Sequence, residues 1–159
     1  MKPDDLIGVG WLTIEYCEKV TLPVNKLGLM KQVVIINTND IEFVHSKQNT
    51  TYDIPFTNTT SFFIKNSTLR KFSYKASQPS TISYLTLKGV KVIDEIVFSN
   101  ITIHTLEISN CEINKIRTEA LDVKVTNVLK IQNNVFKEVE SNAFKKLRYV
   151  ITLLQALSK

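Results

Sequence analysis

The side chains best suited to metal or nucleophile chemistry are few. Two cysteines, Cys17 and Cys111, and two histidines, His45 and His104, make up the whole set of soft ligands. A thiol can be a nucleophile, a metal ligand, half of a disulfide or a small buried group, and its surroundings decide which. A zinc site needs such residues to converge at characteristic short spacings, and no two of these four stand at one. The Gly8-Val9-Gly10 stretch is not a phosphate loop, because no Lys-Ser/Thr pair follows it. No nucleophile, base and acid are marked by a motif, so the expectation is a non-catalytic chain with no cofactor and no metal.

Four asparagines satisfy the N-glycosylation rule: Asn49-Thr-Thr, Asn58-Thr-Thr, Asn66-Ser-Thr and Asn100-Ile-Thr. Three of them crowd between residues 49 and 68. Used sequons would place the protein outside the cell or on its surface, whereas unused ones would fit a cytosolic polar loop.

The net charge of +5 invites a nucleic-acid reading, but only three of the 20 basic residues are arginines (Arg70, Arg117, Arg148) and the lysines are spread along the chain. Phosphate and base recognition favours clustered, forked cations, so no nucleic-acid partner is expected. No apolar run approaches the ~18 residues of a membrane span. The start, MKPDDLIGVGWLTIEYC, lacks the apolar core of a secretion signal, and the apolar end, RYVITLLQALSK, stops abruptly. Both ends read as cut from a longer protein.

The elements that position these residues emerge from a repeat. Shifting His104–Leu121 by 23 residues onto Asn127–Phe144 superposes Leu106 on Leu129, Ile108 on Ile131, Ile113 on Phe136 and Ile116 on Val139. Periods of 20 to 50 residues signal a solenoid. The spacing is apolar-x-x-apolar-x-apolar-x-x-(Asn or Cys)-x-apolar. Its Asn/Cys position falls at Cys17, Asn39, Ser67, Val90, Cys111, Asn134 and, weakly, Ala156. Each unit supplies a short strand whose alternate side chains enter the core. After it, a buried Asn, or a Cys of similar size, fills the turn. Cys17 and Cys111 are four units apart, roughly 19 Å at ~4.8 Å per strand, too far to pair.

That spacing resembles the leucine-rich repeat, and Ser141–Leu147 (SNAFKKL) resembles the Ala-Phe-x-x-Leu return segment of its extracellular members. The resemblance implies one α/β solenoid over residues 1–159, of six to seven repeats. It would carry a parallel sheet on its concave face, a loop excursion near 42–58, and short helical returns only around TEALDV (118–123) and ESNAFKKL (140–147). A right-handed parallel β-helix would give a similar ladder and is the alternative.

The resemblance also implies binding through the concave face. Alternation puts Trp11, Val33, Ile35, Phe63 and Tyr84 on its outward columns, rimmed by Lys65 and Lys88. Aromatic anchors dominate protein interfaces, and a one-residue slip would exchange this face for the core. The expected function is therefore a non-catalytic extracellular module of receptor, adhesion or recognition type, binding a protein partner. Uncapped ends leave three readings: a piece of a larger ectodomain, a homodimer through an end, or an unusual stand-alone repeat protein. The rivals in function are a β-helix acting on polysaccharide and an intracellular repeat scaffold.

Overall fold

A computed structural model of the chain describes residues 10–23, 27, 30–44 and 61–150, with residues 74–78 described in their backbone alone. Runs rich in β-branched, aromatic and other apolar residues make twelve strands among the described residues: β1 (Trp11–Glu15), β2 (Val20–Pro23), β3 (Gln32–Ile36), β4 (Ile41–Val44), β5 (Ser61–Lys65), β6 (Thr68–Leu69), β7 (Phe72–Lys88), β8 (Lys91–Ser109), β9 (Glu112–Ile116), β10 (Leu121–Gln132), β11 (Val135–Val139) and β12 (Arg148–Tyr149). Their pairings are parallel, and together they wind a parallel β-solenoid of about five turns with almost no helix.

The first sheet stacks β1, β3 and β5 on the C-terminal parts of β7, β8 and β10. The second stacks β2, β4 and β6 on the start of β8, then β9 and β11. A third run pairs residues 72–75 of β7 with 96–99 of β8, and Phe98 with Leu121 of β10. The long strands turn the corners through register shifts, such as those between Lys75 and Ser80 and between Val92 and Glu95.

Interior columns run from turn to turn: Leu12, Val33, Phe62, Leu85, Leu106 and Leu129 in one, Ile14, Ile35, Ile64, Leu87, Ile108 and Ile131 in the next. Most of these side chains are wholly buried, each contributing about 1.5–3 kcal/mol relative to exposure. Phe72 anchors the middle turns, stacked on Phe43 at 4.7 Å and edge-on to Phe98 at 5.0 Å. In the last described turn Leu129, Ile131, Phe136, Phe144 and Leu147 are only partly buried.

Strands on every face fit the β-helix alternative better than the α/β arrangement. Neither expected helical return is a helix: residues 118–120 form a turn that runs into β10, and residues 141–146 form successive turns. Ala120 N–H donates to the Arg117 carbonyl, and Lys145 N–H to that of Asn142, both three residues back. Glu119 and Asn142 have φ of 53° and 59°, which a right-handed helix cannot contain.

One expected repeat is slipped by a residue. Val33 and Ile35 are core residues with no exposure, paired across strands with Leu12 and Ile14, while Val34 and Ile36 face outward. Four consecutive β-branched residues, Val33–Ile36, read equally well in either register; pairing with the neighbouring turns decides. Thr38 accordingly takes the turn position expected for Asn39. Most of the expected 42–58 excursion, with His45, Asn49 and Asn58, lies outside the described residues, as does the weak unit at Ile151–Ala156.

Candidate functional site

At the corner after each first-sheet strand, one residue adopts a left-handed conformation: Tyr16, Asn37, Asn66, Gly89, Asn110 and Asn133, with φ between 48° and 64°. Asparagine and glycine tolerate this region best. Gly89 takes its φ of 64° without the strain a Cβ would bring, and the one close neighbour of such a Cβ would be the movable end of the exposed Asn66 side chain.

The next residue turns inward and ties down the corner. Cys17, Thr38, Ser67 and Cys111 each donate a side-chain hydrogen to the carbonyl two residues earlier, at 3.5, 3.2, 2.7 and 3.3 Å. Ser67 also accepts the Thr38 N–H at 3.1 Å. Asn134 accepts the Cys111 N–H and donates to the Ile108 carbonyl, both at 2.8 Å. Val90 fills the same position by packing alone. Both cysteines are free thiols, and burial pushes that of Cys111 up from its ordinary pKa. Among the described residues no group of three His, Cys, Asp or Glu converges on a metal position. His104 is exposed, with Nδ1 3.1 Å from the Thr126 hydroxyl.

These corners fix the direction of the strands and hence the outer face of the first sheet. Three outward columns cross it: Trp11, Gln32, Ser61, Tyr84, Thr105, Val128; Thr13, Val34, Phe63, Thr86, Glu107, Lys130; and Glu15, Ile36, Lys65, Lys88, Ser109, Gln132. Trp11 is 66% exposed and Tyr84 45%. Phe63 stacks on Tyr84 at 6.2 Å, and Lys31 lies over the Trp11 ring at 5.4 Å. Trp11, Phe63, Tyr84, Lys65 and Lys88 therefore share one face, joined by Val34 and Ile36, which take the outward places expected for Val33 and Ile35. Val33 and Ile35 do not belong to it.

Beyond Lys88 the face becomes polar and self-satisfied. Glu107 accepts from Lys130 at 2.9 Å and from the Ser109 hydroxyl at 3.0 Å. Lys130, then Ser109 and the charge of Lys88, hold its carboxyl below the usual glutamate range.

The other faces carry ion pairs between turns. Arg70 forks onto Asp40, with contacts at 2.9 Å, and Glu112 is reached by Lys137 at 2.6 Å. Lys115 bridges Glu138 at 2.5 Å and Glu140 at 3.0 Å. The most buried charge is Glu95, held by Lys71 at 2.5 Å and by the Arg117 guanidinium. Lys71 first, then Arg117, keep its carboxyl low against the opposing effect of burial. An open polar groove of about 570 Å³ runs past Glu95, with Arg117, Glu119, Asp122 and Lys146 along it. Both Glu95 oxygens are engaged, which leaves the carboxylate ionised and occupied. The sequence held no marker for this triad, since Lys71, Glu95 and Arg117 come from three successive turns.

No protein-family model, curated protein or solved structure matches the chain. Function therefore rests on the side chains themselves.

Asn66 and Asn100 are exposed, at corners with φ of 48° and 59°. Ser67, within the first sequon, is spent on the corner hydrogen bonds, while Thr68 opens β6. Among the described residues no helix is long and apolar enough to cross a membrane.

Proposed function

We propose that the chain is a non-catalytic interaction module that binds a protein partner through the outer face of its first sheet. One observation carries this reading: Trp11, Val34, Ile36, Phe63 and Tyr84 project from neighbouring strands of a rigid parallel sheet, on the side away from the core. Contiguous apolar and aromatic side chains on a solvent-facing surface are uncommon on monomers and typical of interface centres. A flat sheet restrained by its corners presents them at little ordering cost on binding.

A cell-surface or secreted setting, with glycans on Asn66 and Asn100, belongs to the same reading. Asn66 stands one residue past Lys65, so a glycan there would border the binding face. The polysaccharide-processing alternative gains from the solenoid architecture. It has less support from side chains, because Glu95, the most buried acid, is locked between two cations rather than free to exchange a proton.

A screen against an array of secreted and cell-surface ectodomains tests the proposal, with the Phe63→Ser/Tyr84→Ser variant run in parallel. The expected result is at least one ectodomain bound by the wild type and lost by the variant. Binding that ignores the substitution would place the interface elsewhere.

A further inference from the structure

Among the described residues Lys65 and Lys88, like Lys19, Lys124 and Lys145, are bridged to no acid, and what sets them apart is that the two stand side by side on the apolar face. Lys65 and Lys88 are directly opposed on neighbouring parallel strands, β5 and β7, which places their backbones about 4.8 Å apart. Like charges directly opposed across strands are unfavourable. Among the described residues neither lysine has a carboxylate within ion-pair distance. Elsewhere Lys71, Lys115, Lys130, Lys137, Lys146 and all three arginines are bridged to acids.

The acids nearest these lysines on the same face do not neutralise them. Glu107 stands diagonally beyond Lys88 and feels its charge, but its carboxylate is taken by Lys130 and Ser109. Glu15 is two strands from Lys65, with Ile36 between them. Both lysines are exposed; Lys65 lies beside Ile36 and two residues from Phe63, and Tyr84 lies four residues back along the strand from Lys88 on the same face. The surface thus joins an apolar platform to an unneutralised pair of positive charges.

We propose that the partner is an acidic protein segment that sets carboxylates over Lys65 and Lys88 while seating an aromatic or aliphatic side chain against Phe63 and Tyr84. This rests on the proposed binding role of the face and adds the chemistry of what binds there. Charge complementarity selects the acid: a carboxylate relieves the repulsion between two opposed ammonium groups, and its desolvation is limited at the rim of an apolar patch. The stacked rings select the neighbour, since they offer a flat surface to another apolar group. A sulfated polysaccharide would supply negative charge alone and use the lysines without the rings.

The test measures binding of the whole chain to three soluble probes: a random glutamate–tyrosine copolymer, polyglutamate and heparin. The wild type is compared with Lys65→Glu/Lys88→Glu and with Phe63→Ser/Tyr84→Ser. The expected result is preference for the glutamate–tyrosine copolymer, with affinity falling about tenfold or more in each double variant and weakening as salt rises. Loss of copolymer binding in the ring variant but not in the lysine variant would overturn the acidic partner and leave the binding face standing. Copolymer binding unaffected by either variant would overturn both. Preference for heparin, dependent on the lysines and indifferent to the rings, would replace the protein segment with an anionic glycan.

Discussion

Asn134 bridges its own turn of the solenoid to the preceding one, accepting the Cys111 N–H on Oδ1 and donating through Nδ2 to the Ile108 carbonyl, each at 2.8 Å. A single side chain thus satisfies a donor and an acceptor that the corner would otherwise leave unpaired. Asn134→Leu keeps the branched shape, with somewhat larger tips, and removes both bonds. It should lower stability by about 1–3 kcal/mol. Asn134→Asp retains the acceptor for Cys111 but loses the donor to Ile108, and should fall between the two. Urea unfolding of the three proteins checks the order.

The slipped register of β3 makes a sharper forecast. Val33 has no exposure and Val34 lies on the outward column beside Phe63. Val33→Asp buries an uncompensated charge and should cost more than about 3 kcal/mol. Val34→Asp should cost about 1 kcal/mol or less. Circular dichroism melting of the pair reads the register directly; equal losses would mean that the strand faces were assigned wrongly.

Lys65 and Lys88 trade stability for charge. Lys65→Glu alone converts an opposed like-charge pair into an opposed ion pair. The variant should melt about 1–3 °C above the wild type at low salt, with the gain shrinking as salt is added. An unchanged melting point at low salt would show that the lysines do not repel one another.

Acid should act through Glu95. Its folded pKa lies below the ordinary glutamate value because Lys71 and Arg117 favour the ionised form. A group whose pKa is depressed on folding stabilises the protein above its unfolded pKa, and that stability is lost as pH falls through the lower folded value. Glu95→Gln should therefore be less stable than the wild type at pH 7, by about 1–3 kcal/mol. The gap should narrow steadily below about pH 4.5, the ordinary glutamate range. Unfolding free energies of both proteins between pH 7 and pH 3 test this; a gap independent of pH would mean that the pairing is not electrostatic.

The solenoid, its strand ladder and most of its outward columns were legible in the sequence because apolar alternation recurs at a near-constant interval. The number of faces was not. The leucine-rich pattern describes one strand and a corner, and a parallel β-solenoid needs the same corner, so the two differ only in return segments where Thr, Asn and Lys give no decisive period. The β3 register failed for a related reason: Val33 to Ile36 are apolar on both faces, so alternation carries no information there. The signal that would have set it lies four residues on. Asn37-Thr38, Asn66-Ser67, Asn110-Cys111 and Asn133-Asn134 are the same dipeptide in structural terms, a left-handed asparagine followed by a small side chain turned inward. Aligning on the asparagine rather than on the residue after it puts Thr38 in the ladder and Val33 in the core. Ion pairs such as Glu95 with Lys71 and Arg117 stay illegible, because which charges meet depends on how the corners offset successive turns.

The central claim is that Phe63 and Tyr84 serve binding rather than folding. The most direct measurement takes an ectodomain partner found in the screen and follows its affinity for Phe63→Ser/Tyr84→Ser beside the melting temperature of that variant. The account predicts a melting temperature within about 5 °C of the wild type and a loss of affinity of about a hundredfold or more. A variant that unfolds cooperatively far below the wild type, or one that binds the partner as tightly as before, would contradict it.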